Sequence, residues 1–173
     1  DIPSDVSWQL GGTYEDQMDT FFDLTILMVL IIILVFIVMA AQFESLTDPF
    51  VIMFSIPFAF TGIILGLAIT QTPLGVMALI GLIMLMGIVV KNGIVLIDYT
   101  ILCRERGMGI LTAVVTAGKS RLRPVLMTTL TTVLGMIPMA VGTGEGSEMW
   151  RSMGMTVAWG LSVSTLITLI IVP

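Results

Sequence analysis

The chain has 173 residues, of which 57% are hydrophobic and 11% are charged, and its mean hydropathy is +1.09. A soluble domain needs more polar surface than this composition supplies, so the sequence predicts a membrane protein. The formal charge of -5 argues against nucleic acid as a partner, and the single cysteine, Cys103, excludes a disulfide or a cysteine metal site within the chain.

Residues 1–20 form a polar, acidic segment without a basic residue. They lack the positive start and the small-residue cleavage site of a signal peptide. Asp1 has no preceding methionine, and Pro173 ends the chain directly after an apolar stretch. We therefore expect a fragment of a longer protein, with residues 1–20 as an extramembrane segment and linker and residues 21–173 as a transmembrane domain.

Five apolar segments follow, each close to the roughly 20 residues that a helix needs to cross a bilayer. They must be helical, because a segment in lipid has to satisfy its own backbone polar groups, and the alternating pattern of a barrel is absent. The predicted fold is all-α, a polytopic helix bundle in the lipid bilayer. The predicted spans are residues 24–41, 49–69, 74–101, 125–141 and 157–172.

The connection between the third and fourth spans holds most of the basic residues, which by the positive-inside rule makes it cytoplasmic. The acidic segment 1–20 and the loop 141–157 then lie outside. Residues 108–119 alternate apolar and small or polar side chains, so they form either a short interfacial helix or a plain surface connector. The basic residues of this connection are Arg104, Arg106, Lys119, Arg121 and Arg123.

Two features of the spans predict architecture. Gly62 and Gly66 are four residues apart in the second span, a spacing typical of a close helix contact. Pro57 and Pro138 lie within spans and are expected to kink them, which neighbouring helices in a bundle tolerate.

Lys91 lies between the apolar runs 74–90 and 93–97, inside the third span. An ammonium at that depth costs roughly 2.5 to 3.5 kcal/mol on insertion scales, so it is normally retained for a partner or a task. Snorkelling to an interface is the alternative, but the nearer end of the span is about 18 Å away. We favour a transport or charge-relay role over snorkelling or inert pairing.

The acid nearest to Lys91 in sequence at membrane depth is Asp98, seven residues further along the same helix. It shares nearly the same face but lies about 10 Å along the axis, and the lysine side chain leans away from it. A strong bridge between the two is not expected. The remaining acids flank the spans or lie in loops, so either Lys91 snorkels or its counter-charge lies on helices outside this chain.

The fourth span places two hydroxyls and a glycine, Thr128, Thr132 and Gly135, on one helix face. Such a face serves either a proton relay near Lys91 or the close packing of two helices. Packing is favoured for Thr132, and for Thr128 both interpretations stay open.

Catalytic patterns are missing. Without histidine there is neither a zinc-protease helix nor a Ser-His pair, and the glycine-rich segment 142–146 lacks the Lys-Ser/Thr pair of a phosphate-binding loop. An intramembrane aspartyl site needs two carboxylates together, and only Asp98 lies at that depth. We therefore expect no enzyme, no catalytic residues, no metal site and no organic cofactor.

Four separated motifs carry a family resemblance: AAQFESLTDPF at 40–50, GIVVKNGIVLID at 87–98, SRLRPVLMT at 120–128 and GMIPMAVGTGEGSEMW at 135–150. In the same order they closely resemble resistance-nodulation-division (RND) exporters of the hydrophobe/amphiphile type. The resemblance covers nearly the whole chain. It corresponds to the end of the periplasmic pore domain followed by the last five of twelve membrane helices.

The resemblance implies a trimeric multidrug pump of the bacterial inner membrane, driven by the proton-motive force through drug/proton antiport. The N-terminal segment would be periplasmic, and a periplasmic adaptor and an outer-membrane channel would be partners. Lys91 takes the place of the coupling lysine, Arg121 of a coupling arginine at the cytoplasmic entrance and Thr128 of the relay threonine. Asn92 and Asp98 match supporting polar positions. The two coupling aspartates belong to the fourth helix of the missing N-terminal half.

The implied mechanism is an electrostatic switch, in which protonation of those aspartates releases Lys91 toward Thr128. Metal-exporting relatives generally lack the lysine, so its presence favours organic substrates. The alternatives are a non-transporting membrane scaffold and a related transporter of metal, lipid or protein. The full reading frame, with or without large periplasmic loops and an acidic fourth helix, distinguishes the scaffold from the pump.

Overall fold

A computed structural model describes residues 12–171, and within that range the chain is helical, with no strand. Helices α2 and α3 together make one crossing, so five segments are long and apolar enough to span a membrane. The predicted all-α bundle with five spans is confirmed. The helices are α1 (Thr13–Phe43), α2 (Thr47–Met53), α3 (Ile56–Thr70), α4 (Val76–Glu105), α5 (Ile110–Val141) and α6 (Ser147–Ile171).

Several helices extend beyond the predicted apolar spans. Helix α1 begins at Thr13, within the polar segment, and α6 begins at Ser147, within the predicted outer loop. Only residues 1–11 of the predicted extramembrane segment lie outside the described part of the chain. Hydropathy measures how much of a helix lies in hydrocarbon, whereas backbone hydrogen bonds continue through polar residues beyond it.

The predicted interfacial helix at 108–119 is not a separate element. Residues 110–141 form one helix, α5, which continues through Pro124. The proline lacks an N–H, so the carbonyl four residues earlier loses its backbone donor without ending the helix. The position of residues 110–119 relative to the membrane stays a prediction.

The second span is interrupted near Pro57, as the sequence predicts. Pro57 occupies the second position of α3 and cannot donate a backbone hydrogen bond to Met53. The chain turns between α2 and α3, where the Ser55 hydroxyl and amide donate to the Ile52 carbonyl at 2.6 and 3.0 Å. Pro138, in contrast, lies inside α5 without ending it.

Glycines bring α3 and α6 into close contact. A Cβ on Gly62 would lie 2.7 Å from the Cβ of Val163, and a Cβ on Gly66 would overlap Trp159. The packing role predicted for this pair is therefore confirmed. Gly160 of α6 has a similar position, since a Cβ there would lie 2.8 Å from Ile63.

The bundle is centred on α4 and α6. Helix α6 packs against α3, α4 and α5, whereas α1 lies at the edge and contacts α2 and α4. The core includes the fully buried Ile52, Leu85, Val89 and Leu161. One side of α4 faces this core, and Lys91 lies among the exposed residues of the helix.

Candidate functional site

Lys91 lies close to the middle of α4, about 20 Å from either end at 1.5 Å per residue. Its neighbours Val90 and Asn92 are buried, at 5% and 7% exposure, while Lys91 itself is exposed. The backbone of α4 therefore turns the ammonium away from the core of this bundle. Snorkelling would require the side chain to cross more than one turn of apolar helix to reach either end.

Lys91 belongs to a stripe of exposed residues, here called the Lys91 face, whose members recur at helical spacing on α4. A Cβ on Gly87, one turn before Lys91, would meet nothing within 4 Å. Within residues 12–171 Lys91 makes no ion pair, so its charge needs compensation from elsewhere. The face consists of Met84, Gly87, Lys91, Asp98 and Leu102.

Asn92, next to Lys91 in the chain, has a second polar group without a partner within residues 12–171. Its Nδ2 atom is buried and has no hydrogen-bond partner among the described residues. A buried polar group in that state costs about 1 to 3 kcal/mol, so a buried amide normally has a partner. The following residue, Gly93, packs closely on α2, where a Cβ would lie 2.9 Å from Ile52.

Arg121 of α5 lies over the ring of Tyr99 of α4, with its Cζ atom 4.6 Å from the ring centroid. Both side chains are partly buried, and the Arg121 Nε atom is buried without a hydrogen-bond partner. A guanidinium at that distance from an aromatic face gains about 0.5 to 2 kcal/mol, depending on desolvation. The contact places the guanidinium beside the C-terminal part of α4, where Tyr99 directly follows Asp98 in the chain.

Thr128 is exposed, and its hydroxyl donates to the Pro124 carbonyl at 3.0 Å. Thr132 donates in turn to the Thr128 carbonyl at 2.8 Å, and a Cβ on Gly135 would meet nothing within 4 Å. Thr128 and Gly135 are exposed, whereas Thr132 is partly buried. The packing interpretation favoured for Thr132 stays a prediction.

The hydroxyl contact between α5 and its neighbour lies elsewhere on the helix. Thr129 and Thr165 form a buried hydrogen bond of 3.2 Å between α5 and α6. Thr129 directly follows Thr128 but lies about 100° further around the helix axis, and it is buried whereas Thr128 is exposed. The sequence analysis missed this pair because the rotation of α5 about its axis decides which threonine faces α6.

The structure brings together only part of the predicted site. Lys91 and Thr128 lie on α4 and α5, which pack against each other, and both side chains are exposed. Arg121 contacts α4 through Tyr99, a residue that the sequence analysis did not select. No motif marks it, although its position directly after Asp98 on the helix of Lys91 is a usable signal. Among residues 12–171 no group of three or more potential metal ligands comes together.

The chemistry of this arrangement is cationic. Lys91 supplies an ammonium with three donors and Arg121 a guanidinium, while Thr128 supplies a hydroxyl. The ammonium and the guanidinium have only hydrogen-bond donors, and the Thr128 hydroxyl both donates and accepts.

Comparison with known sequences identifies the chain. The sequence model of the AcrB/AcrD/AcrF family matches residues 1–173. The chain belongs to the AcrB/AcrD/AcrF family. The predicted resemblance to RND transporters is thereby confirmed, and the described helices correspond to a membrane portion of such a transporter.

The names of similar proteins in this family refer to different functions. Swarming motility protein SwrC of Bacillus subtilis is 41% identical over 174 residues, covering 100% of this chain and 16% of that protein. Cobalt-zinc-cadmium resistance protein CzcA of Cupriavidus metallidurans is 37% identical, covering 99% and 16%. Multidrug resistance protein MdtC of Proteus mirabilis is 34% identical, covering 99% and 17%. The chain thus spans about one sixth of the length of these AcrB/AcrD/AcrF relatives.

A solved structure gives the same fold. The crystal structure of a heavy metal efflux pump, in crystal form II, superposes with a TM-score of 0.85 at 31% identity. The match covers 99% of this chain and 17% of that chain. The helix arrangement described above is therefore that of a segment of an RND pump.

Proposed function

We propose that this chain supplies the cationic half of a proton-coupling site in an RND efflux transporter, with Lys91 as its central residue. The observation that carries the proposal is the exposure of Lys91 midway along an apolar helix whose other side is fully packed. Intramembrane ions are kept for a partner or a function. The remaining five sixths of the transporter, outside this chain, contain the partner.

The partner is a helix that carries carboxylates and covers the Lys91 face. While those carboxylates are ionised, they pair with Lys91. When they bind protons, the attraction is lost and the ammonium reorients toward Thr128 on the adjacent α5. The two positions of the Lys91 ammonium favour two different arrangements of the helices. The proton-motive force drives the change between them.

Arg121, Asn92 and Asp98 complete the proposed site. Arg121, held by Tyr99, orients water or a carboxylate near the proton entrance with its terminal N–H groups. The unpartnered Asn92 Nδ2 atom donates a hydrogen bond to the covering helix or to water, and Asp98 contributes negative charge on the Lys91 face.

The proposed setting follows the family resemblance. The transporter is a homotrimer of the bacterial inner membrane, with the N-terminal segment of this chain in the periplasm. It works with a periplasmic adaptor and an outer-membrane channel. The positive charge at the C-terminal end of α4 and in the N-terminal part of α5 supports the orientation, since basic residues collect on the cytoplasmic side.

The proposed substrates are hydrophobic or amphiphilic organic compounds, exported in exchange for protons. The presence of Lys91 supports this choice, because metal-exporting relatives are expected to lack the lysine. Metal export is the second candidate. It is supported by the 37% identity to CzcA and by the structural match to a heavy metal efflux pump.

The test of the coupling role is Lys91→Met in the full-length transporter. The variant should be made and inserted at normal levels, yet proton-driven export should fall to that of cells without the transporter. Lys119→Met is the matched control, because it removes the same charge from an exposed position on α5. Full export by Lys91→Met would overturn the assignment.

The substrate class needs a separate measurement. Inverted vesicles that contain the full-length transporter are energised with a pH gradient and offered either an amphiphilic dye or Zn²⁺, Co²⁺ and Cd²⁺. Proton-dependent dye uptake without metal uptake is expected. Metal uptake that depends on Lys91, without dye uptake, would instead establish the second candidate.

A further inference from the structure

A recess of about 160 Å³ lies between α2 and the C-terminal part of α4. A space of this size admits several water-sized groups. Three polar residues line it, Asp48, Thr100 and Arg104, beside an apolar wall that includes Val51, Ile97 and Ile101. The recess is separate from the Lys91 face, because these α4 residues lie on a different side of the helix.

The polar residues present opposite charges across one small space. Asp48 lies in the first turn of α2 and is partly buried, while Arg104 lies in the last turn of α4 and is exposed. Within residues 12–171 the two do not form an ion pair. The Thr100 hydroxyl donates to the Leu96 carbonyl at 2.9 Å, so its oxygen keeps lone pairs that can accept a hydrogen bond.

The apolar wall continues the hydrocarbon-facing surface of the bundle. Val51 is 46% exposed, and Ile97 and Ile101 are partly buried. The recess thus lies where apolar helix surface meets charged helix ends, which is the level of lipid headgroups. A ligand that fits here has one anionic group, one cationic group and an apolar tail.

We propose that this recess binds the headgroup of a zwitterionic lipid with a primary ammonium, of the phosphatidylethanolamine class. The Arg104 guanidinium binds the phosphate, for which its planar donors are well suited. The Asp48 carboxylate and the Thr100 oxygen accept hydrogen bonds from the ammonium, and the first methylenes of the acyl chains pack on Val51 and Ile101.

Charge and hydrogen bonding select this headgroup over two others. A phosphatidylglycerol headgroup has no cation to offset Asp48 and places negative charge beside it. A phosphatidylcholine headgroup has a cation without an N–H, so it makes no hydrogen bond to Asp48 or Thr100. The bound lipid bridges α2 and α4, and it thereby contacts the helix that carries Lys91. This assignment does not depend on the proposed proton coupling.

The test is lipid titration of the purified full-length transporter by native mass spectrometry, with phosphatidylethanolamine, phosphatidylglycerol and phosphatidylcholine of identical acyl chains. The wild type should bind the ethanolamine lipid more tightly than the other two, by roughly two- to fivefold, the scale of one exposed ion pair. Asp48→Asn should remove or invert the preference over phosphatidylglycerol. Arg104→Gln should weaken binding of all three lipids.

Matched controls separate the recess from general surface charge. Glu44→Gln removes one negative charge, as Asp48→Asn does, from an exposed residue directly after α1. Arg106→Gln removes one positive charge, as Arg104→Gln does, from an exposed residue directly after α4. Both residues lie outside the recess. They should leave the lipid preference unchanged. Thr100→Val tests the hydrogen bond to the ammonium separately. It should reduce the ratio of phosphatidylethanolamine affinity to phosphatidylcholine affinity and leave the other preference unchanged.

Two results would overturn the proposal. One is an unchanged preference for phosphatidylethanolamine in both Asp48→Asn and Thr100→Val. Asp48 and Arg104 would then interact with each other and not with a lipid headgroup. The other is an equal shift in the control variants, which would mean that the bilayer responds to net charge alone. Thermal unfolding and trimer size, measured for every variant, show that each comparison uses folded protein.

Discussion

Helices α1 and α4 both have sides that no other part of the described chain covers, but the two sides differ in chemistry. Of the residues in the most apolar part of each helix, 6% are buried in α1 and 50% in α4. The uncovered side of α1 is apolar, with Leu30, Ile33 and Ile37 more than half exposed. That of α4 carries Lys91, Gly87 and Asp98.

The difference shows that exposure alone does not identify a neighbour. Lipid tails cover an apolar face such as that of α1 at no electrostatic cost. They cannot compensate an ammonium midway along a helix, so we propose that protein with negative charge covers the Lys91 face. The following experiments test this contrast.

The largest effect is expected from placing a lysine on α1. Leu30→Lys puts an ammonium near the middle of that helix, on a side that we assign to lipid. It should cost about 2.5 to 3.5 kcal/mol on insertion scales, so the amount of full-length transporter in the membrane fraction should drop, while Leu30→Met should not change it. Normal insertion of Leu30→Lys would show that α1 also has a polar protein neighbour.

A smaller effect is expected from adding bulk to the Lys91 face. Among the described residues 12–171 nothing lies within 4 Å of a Cβ on Gly87, so Gly87→Leu should be harmless unless another helix covers it. In the full-length transporter we expect destabilisation of about 1 to 3 kcal/mol from overpacking, measured as a lower melting temperature. Val29→Leu on α1 is the control. Equal melting temperatures for both variants would argue that the Lys91 face meets lipid.

The smallest effect concerns the contact that ties α4 to α5. Tyr99→Leu removes the ring under Arg121 and should cost about 0.5 to 2 kcal/mol, whereas Tyr99→Phe keeps the aromatic face and should cost less. A double-mutant cycle of Tyr99→Leu with Arg121→Gln should give a favourable coupling free energy. If the changes in unfolding free energy of the two single variants are strictly additive in the double variant, Arg121 and Tyr99 do not stabilise each other.

The sequence predicted the parts of this structure that depend on local chemistry. Hydropathy located the five spans, the spacing of Gly62 and Gly66 predicted a helix contact, and Pro57 predicted a kink in the second span, which the structure shows as a break between α2 and α3. In each case the residue itself, through its side-chain size or its missing N–H, determines the outcome.

Other features depend on how the helices are rotated and where they cross, which single-sequence patterns do not specify. The contact of Arg121 with Tyr99 and the hydrogen bond of Thr129 with Thr165 are of this kind. Helix ends were also misplaced, since α5 continues through Pro124 where a change in hydropathy indicated a boundary. The roles of Lys91, Arg121 and Thr128 remain predictions.

The most direct test of the central claim is the distance from the Lys91 Nζ atom to the nearest carboxylate oxygen in a structure of the full-length transporter at neutral pH. We predict a carboxylate from a helix outside this chain at an ion-pair distance of about 4 Å or less, with that helix covering Gly87. A Lys91 ammonium that meets only lipid or water, with Gly87 still uncovered, would contradict the account.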